Sequence, residues 1–272
     1  MKETLIVLAT IIFGFALRSC KTTVLRKLGA LVMLIASAMC VFFISDSILM
    51  GVFAASAWFI LPWVELMTRI RKLRMPITNT LQQRFSVNLA AFPDAQTHIR
   101  TLENEGFEHI RNAGWNLGGM DQLFQLYWNA ETKAVAALCL CEQSHITFSY
   151  LTVTSRDLKN GVWRTTNFPF SPNLKLSPKV HWNQISCVNE CAKKVIAKHS
   201  SFLLKNGFCN DTLSIPDPDH IEQEIESELN KQINHNLKAG IITAADEVHF
   251  RYTPKGLFFL WCQSIKDMIR LC

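Results

Sequence analysis

Cysteine and histidine are the residues of this sequence best suited to metal or nucleophilic chemistry, and the chain has nine and eight of them. The most suggestive set is Cys187 and Cys191, four residues apart on a predicted helix, with His181 and His199 on either side. Structural zinc sites usually draw close pairs of ligands from two separate elements. Free cysteine also behaves as a small buried hydrophobe. We therefore expect no metal ligands from this set.

Catalytic motifs of fixed spacing are absent from the sequence. It has no Gly-Lys-Ser/Thr of the Walker type, no His-Glu-x-x-His, no Gly-x-Ser-x-Gly and no Cys-x-x-Cys. The glycine-rich stretch 114–119 precedes a predicted strand, whereas a phosphate cradle needs a helix N-terminus at that point. We predict no catalytic residue, no cofactor-binding residue and no cofactor.

Scattered residues keep an enzymatic alternative open, because a site assembled from distant positions leaves no trace in one sequence. Its candidate ingredients are His98, His145, His181 and Asp121. The segment 217–220, Asp-Pro-Asp-His, has the ligands for a cation, but helix capping explains it more simply. Four tryptophans fall in the region of predicted strands: Trp115, Trp128, Trp163 and Trp182. They could line a pocket, but we expect most of them to pack in the core.

The elements that must position these side chains start from an apolar anchor at residues 1–75. It contains three apolar runs, at 4–17, 28–44 and 48–66, with nine basic and three acidic side chains in the anchor as a whole. That net charge of +6 equals the charge of the whole chain, so residues 76–272 sum to zero. A bilayer span needs about 17–25 apolar residues. The last two runs qualify, and the first spans only if its basic flanks snorkel.

The basic residues flanking the runs indicate an orientation. One cluster runs from Arg18 to Lys27, between the first two runs, and the other runs from Arg69 to Arg74. Short loops rich in Lys and Arg stay in the cytoplasm. Three spans then place Asp46 at an outer hairpin tip and everything after about Arg69 inside. We predict an integral protein of a bacterial inner (plasma) membrane, with the lipid bilayer as its first partner.

Two alternatives for the first run would reverse this orientation. The run could be a cleaved secretory signal or a lipoprotein signal ending at Cys20. Glu3 spoils the basic start that such signals have, and Arg18 stands where small residues are preferred. Removing the run would leave a hairpin of two spans and put the polar body outside.

The polar body has the pattern of an α+β domain. Residues 76–92 predict a linker, and a helix follows between Pro93 and Gly106. Short connections then join four predicted strands as an antiparallel meander: 123–128, 134–141, 145–154 and 162–166. A long helix is predicted over 183–206. Residues 93–209 thus form, in this interpretation, a two-layer domain with its helices on one face of the sheet.

Residues 210–272 predict a C-terminal extension of helix, hairpin and helix. The stretches Asn236–Ile242 and His249–Leu257 resemble the end of a winged-helix domain, in which a helix ends in Gly-Leu-Ile and a hairpin follows with Tyr-Arg-Leu-Thr-x-x-Gly. The resemblance covers about 40 residues and implies a DNA-binding regulator. Here one continuous acidic helix replaces the shorter helices of that family, and acidic side chains repel phosphates. The neutral body also lacks a basic footprint, so nucleic acid is not an expected partner.

The function expected from these patterns is a membrane-anchored cytoplasmic binding or scaffolding protein. The amphipathic helix at Leu257–Cys272 could dock on the sheet domain, on the membrane surface or on a second copy, and it is our candidate for protein contact or self-association. A membrane-tethered enzyme and a membrane-tethered winged-helix-like regulator are the alternatives.

Overall fold

The computed structural model describes residues 2–20, 22–83, 89–92, 94–117, 120–143, 146–185 and 192–271. The chain forms two compact units. The helical unit combines Met1–Leu73 with Tyr252–Cys272, and the sheet unit is Arg74–Arg251. These boundaries differ from those we expected for the soluble part, because the last helix groups with the N-terminal helices and the rest of 210–251 groups with the sheet.

The helical unit contains α1 (Lys2–Arg18), α2 (Thr23–Ser45), α3 (Ile48–Thr68) and α7 (Pro254–Leu271). The chain turns between α2 and α3 at Asp46, whose φ of 49° is left-handed and ends α2. This confirms the predicted break at residues 45–47. Among the described residues, Val24–Ser45 and Ile48–Lys72 are long and apolar enough to cross a membrane, and only 11% and 6% of these stretches are buried within the chain.

Glycines allow the N-terminal helices of this unit to approach closely. A Cβ added at Gly29 of α2 would lie 2.9 Å from the Gly14 carbonyl oxygen of α1. A Cβ added at Gly51 of α3 would lie 3.0 Å from the Ala38 carbonyl oxygen of α2. Small residues at such crossings are typical of helices that associate in lipid, where packing replaces the hydrophobic effect.

The last helix of the unit starts three residues earlier than expected. Pro254-Lys255-Gly256, which precedes the expected start at Leu257, is the first turn of α7, because proline suits the first helical position. The Thr253 hydroxyl accepts a hydrogen bond from the Gly256 N–H at 3.1 Å and caps the helix.

The sheet unit is built on a seven-stranded sheet with the order β2-β3-β4-β5-β6-β7-β8. Neighbouring strands are antiparallel except β7 and β8, which are parallel. The strands are β2 (Gln82–Gln83), β3 (Glu108–Leu117), β4 (Met120–Asn129), β5 (Ala134–Gln143), β6 (Ile146–Arg156), β7 (Val162–Thr166) and β8 (Val180–Gln184). The four predicted strands correspond to β4–β7. The other three strands were missed, and the predicted helix over 183–206 is wrong at its start, because 180–184 is a strand and the helix α5 covers Ala192–Lys205.

Helices cover both faces of this sheet, so the expected two-layer arrangement is wrong. On one face α4 (Ala95–Asn104) and α5 pack on a core that includes Leu138 and Leu151. On the other face α6 (Ile221–Lys238) packs Ile221 and Ile225 against Leu126. The physical reason is the run Ala134–Cys141, which is apolar on both sides of the strand and must be buried twice.

The predicted linker at 76–92 is partly ordered structure. Its described residues include β2, and Phe92 lies in the main core with 5% of its surface exposed. A second, three-stranded sheet has the order β1-β10-β9, formed by β1 (Met75–Pro76), β10 (His249–Tyr252) and β9 (Ile242–Ala244). Met75 pairs with Phe250, so the first and last strands of the sheet unit lie side by side.

Candidate functional site

An aromatic surface lies on the α6 face of the sheet, beyond the end that α6 covers. It consists of Phe148 and Tyr150 on β6 with Phe168 and Phe170 in the segment after β7. The ring centroids of Tyr150 and Phe168 are 4.7 Å apart, and those of Phe168 and Phe170 are 5.6 Å apart. Phe170 is 49% exposed and the other three are half-buried. Such rings can stack on an apolar or aromatic group of a partner.

Two buried thiols on β5 lie beside the aromatic surface. Cys139 is opposite Tyr150 and Cys141 is opposite Phe148 in the register of β5 and β6. Burial raises the pKa of Cys139 far above its ordinary value and that of Cys141 to about 12. Thiols that stay protonated are weak nucleophiles and weak metal ligands. The surface therefore has the chemistry of a contact patch, without an activated group.

An ion-pair network holds α6 on the sheet beside this surface. Arg156 of β6 lies 3.0 Å from Glu224 and 3.3 Å from Glu228. Arg164 of β7 lies 2.7 Å from Glu228. In the first turn of the helix, Arg111 of β3 lies 3.3 Å from Glu222. The acidic half of α6, which the sequence showed as a run of glutamates, is thus directed at arginines of the chain itself.

Among the described histidines of the sheet unit, His199 has the most strongly shifted pKa. It projects from α5, with Nδ1 3.0 Å from the Thr165 hydroxyl and Nε2 3.1 Å from the Ser155 hydroxyl. Burial lowers its pKa from 6.5 to about 4. A neutral imidazole donates through one nitrogen and accepts through the other, so both hydroxyls are satisfied. Both ring nitrogens are occupied, which removes His199 from the zinc set we considered.

His181 is the other described member of the zinc set. His181 is exposed on β8 and stacks on Trp163 with a centroid distance of 3.9 Å. Cys187 and Cys191 lie outside the described residues. Within the described ranges no group of three or more His, Cys, Asp or Glu side chains could hold a metal ion.

The structure does not bring together the described residues of the enzymatic alternative, which are His98, Asp121 and His181. His98 is buried in α4, where burial lowers its pKa and where its Nδ1 has no hydrogen-bond partner among the described atoms. Asp121 is exposed on β4, four strands from His181, which is about 19 Å at the usual strand spacing. His145 falls outside the described residues.

The possible cation ligands at 217–220 form a turn before α6. Asp217 accepts hydrogen bonds from the Asp219 N–H and from His220 Nδ1, the latter at 2.7 Å. The hydrogen bond from His220 is the main cause that lowers the pKa of Asp217. His220, and not Asp217, is the residue that precedes the first turn of the helix.

The four tryptophans have separate environments. Trp163 is buried against Phe202 and Phe208, and its indole N–H donates to Asp157 at 3.0 Å. Trp128 packs in the core beneath α6. The rings of Trp115 and Phe124 meet edge-on, with their centroids 5.3 Å apart, on the same sheet face as the aromatic surface. The Arg164 guanidinium lies 6.0 Å from the ring centre of Trp182.

The helical unit has a second candidate surface, formed where α7 packs on α2 and α3. The Trp261 indole N–H donates to the Phe59 carbonyl oxygen of α3 at 2.8 Å, and its ring meets Trp63 edge-on at 6.4 Å. At the far end of α7 the Arg26 guanidinium of α2 donates to the Arg270 carbonyl oxygen at 3.0 Å. The N-terminal helices of the chain are not among the three docking places we considered for this helix, so this contact was not foreseen.

Sequence reasoning missed the aromatic surface and the docking of α7. The alternation of Phe148 and Tyr150 was visible, but it was interpreted as the core side of a strand. The spacing Phe168-x-Phe170 was hidden in a proline-rich loop. Comparisons of the chain with protein-family models, with curated proteins and with solved structures found no match.

Proposed function

We propose that this protein is an integral membrane protein with three spans, α1–α3, and that its sheet unit is a cytoplasmic binding or scaffolding module. The observation that carries the membrane part is the outward apolar surface of these helices. Ile44, Leu49 and Phe53 are 79%, 80% and 63% exposed, and they are only three of many. Exposed apolar surface on this scale exceeds what soluble monomers tolerate.

The contact between Gly14 and Gly29 favours α1 as a retained span over a cleaved signal. A signal segment that is removed has no need of a close crossing with the next helix, whereas a permanent span does. The length of α1, 17 residues, lies at the lower limit for a span, with Lys2 and Arg18 at its ends. Retention of α1 puts the basic ends of α2 and α3 in the cytoplasm.

The orientation can be tested on the intact chain with a membrane-impermeant maleimide. Cys209 is exposed in the sheet unit and serves as the inner reporter, and a Ser47→Cys substitution provides an outer one. In cells we expect Ser47→Cys to be labelled at once and Cys209 only after permeabilisation. The controls are the Cys209→Ser variant and the chain that keeps Ser47. Labelling of Cys209 in intact cells would refute three spans with a cytoplasmic sheet unit.

The aromatic surface supports the binding part of the proposal, because half-exposed stacked rings are enriched where proteins contact partners. A pull-down from solubilised membranes with the full chain should give one stoichiometric partner. Phe170→Ser, which removes the most exposed ring of the aromatic surface, should lose that partner. Leu158→Ser is the matched control, because Leu158 is exposed (70%) but lies outside the aromatic surface, and this variant should keep the partner. A partner retained by both variants would place the binding surface elsewhere.

A further inference from the structure

We infer that Trp261 of α7 is a latch across a hinge within α3, and that the hinge is Pro62. While Trp261 is docked, the two halves of α3 are held in one arrangement, and when it is released the helix is free to bend at the proline. The inference rests on the proposed membrane function, because an open helical turn is costly where no water reaches it.

The hinge follows from the position of Pro62 inside α3, between Ile48 and Thr68. Proline has no N–H, so the carbonyl oxygen of Trp58, four residues earlier, receives no helical hydrogen bond, and the proline ring crowds that carbonyl. Proline is one of the few causes of sharp kinks in helices. In a membrane span, a neighbouring helix can satisfy the freed backbone groups. The turn at 58–62 is therefore a weak point of α3 that needs a donor from outside the helix.

Trp261 contacts α3 on both sides of the proline. Its indole N–H donates to the Phe59 carbonyl oxygen at 2.8 Å, in the weakened turn before Pro62. Its ring meets the ring of Trp63, the residue that follows Pro62, edge-on with the centroids 6.4 Å apart. One side chain thus joins the segment before the hinge to the segment after it. A bend at Pro62 must break or stretch one of these two contacts.

Two further contacts hold the latch in place. On its own helix, Trp261 stacks on Phe258 with the ring centroids 5.5 Å apart. Towards the end of α7, the Arg26 guanidinium of α2 donates to the Arg270 carbonyl oxygen at 3.0 Å. Because α7 is fastened to α2 as well as to α3, the position of Trp261 does not depend on α3 alone.

The two halves of α3 are held differently. Before the proline, a Cβ added at Gly51 would lie 3.0 Å from the Ala38 carbonyl oxygen, so this half packs closely on α2. After the proline, α3 ends at Thr68 and the chain leaves the helical unit at Leu73. A bend at Pro62 would therefore leave the first half on α2 and move the second half. Since the chain returns to this unit just before α7, the latch joins the two helices to which the sheet unit is connected.

The test is hydrogen exchange of the full chain in phosphatidylcholine nanodiscs, measured by mass spectrometry on peptides that cover 63–68. The N–H groups of residues 63–65 bond back across the proline to the carbonyls of residues 59–61, so their exchange reports opening of the hinge. Trp261→Phe keeps an aromatic ring and removes the donor. A neutral hydrogen bond changes such an opening equilibrium by about fivefold. We therefore expect exchange at 63–68 to rise by about fivefold and exchange at 48–56 to stay unchanged.

Two variants control this measurement. Trp58→Phe makes the same substitution on α3 while Trp261 stays in place, and it should leave exchange at 63–68 unchanged. Pro62→Ala restores the missing N–H, so adding Trp261→Phe to this variant should change exchange by less than about twofold.

Three outcomes would overturn the inference. They are unchanged exchange in Trp261→Phe, an equal rise when Pro62→Ala is also present, and a rise spread evenly over 48–68 or matched by Trp58→Phe, which would show a general loss of packing. Release of the chain from the bilayer by alkaline carbonate would instead refute the membrane proposal, so the two failures are distinguishable.

Discussion

Replacing His199 by glutamine should remove a pH-dependent part of the stability of the sheet unit. The folded pKa of His199, about 4, lies below the ordinary value of 6.5. The unfolded chain therefore binds an extra proton between these values. It follows that the contribution of His199 is complete above pH 6.5 and is lost as the pH falls from 6.5 towards 4.

The magnitude follows from the size of the shift. One pKa unit corresponds to about 1.4 kcal/mol, so a decrease from 6.5 to about 4 is worth about 3 kcal/mol when complete. At pH 5 about 2 kcal/mol of this is already lost. Glutamine also has a donor and an acceptor for Ser155 and Thr165 but does not titrate. His199→Gln should cost about 1–2 kcal/mol at neutral pH for imperfect hydrogen bonds, and this cost should shrink on acidification.

The assay is urea unfolding of the full chain in a nanodisc, followed by the fluorescence of the tryptophans of the sheet unit between pH 7.5 and 5. The difference in unfolding free energy between the unsubstituted protein and His199→Gln should fall by about 2 kcal/mol over this range. His98, whose pKa is also lowered by burial, titrates in both proteins and cancels in the difference. His109→Gln, at an exposed histidine, is the control for loss of an imidazole. Parallel stability curves for the protein and His199→Gln would refute the assignment of a buried neutral imidazole.

Three further predictions concern packing and ion pairs. Leu126→Ala and Leu138→Ala change fully buried positions on opposite faces of the sheet, and each should lower the free energy of unfolding in urea by about 2–5 kcal/mol. The control is Leu158→Ala, at an exposed position, which should change this free energy by less than about 0.5 kcal/mol. A small effect of Leu126→Ala would argue against the α6 layer. Gly29→Val should destabilise the detergent-solubilised chain by about 1–3 kcal/mol in thermal unfolding, because the added Cβ would approach the Gly14 carbonyl oxygen. Ala16→Val, on the exposed side of α1, is the control and should leave the stability unchanged. Equal melting temperatures of Gly29→Val and the unsubstituted chain would exclude a close crossing of α1 and α2. A double-mutant cycle of Arg164→Met and Glu228→Gln, measured by urea unfolding, should give a coupling free energy of about 1 kcal/mol. This coupling should fall in high salt, because both side chains are partly exposed. Additive effects of the two substitutions would show that this ion pair does not hold α6 on the sheet.

The strands that the sequence predicted are those with a clear period. β6 alternates between apolar and polar residues along Ile146–Tyr150, and β5 is an almost continuous apolar run. β3 escaped prediction because a register shift between His109 and Arg111 breaks its alternation, as a β-bulge does. β8 escaped because its partner, β7, is parallel and lies across a long loop, so no turn signal announces the pairing.

The candidate surfaces were harder to predict than the fold elements. The aromatic surface needs both the register of β6 and the path of the loop after β7, and neither follows from local patterns. The apolar face of α7 was visible as a helical period, but its docking depends on Trp261 finding the Phe59 carbonyl, 202 residues away. Pairings at such separations are decided by packing, and a single sequence contains no direct signal for them.

The pairing of β1 with β10 means that the sheet unit is an insertion with two connections to the helical unit. The chain leaves the helical unit at Leu73 and re-enters it at Tyr252, with the outgoing and returning strands bonded to each other. A single protease cut within the sheet unit would therefore detach neither piece from the helical unit, since one piece remains joined to α1–α3 and the other to α7. For the same reason the sheet unit could be excised and its two ends rejoined by a short linker, leaving the helical unit as a continuous chain.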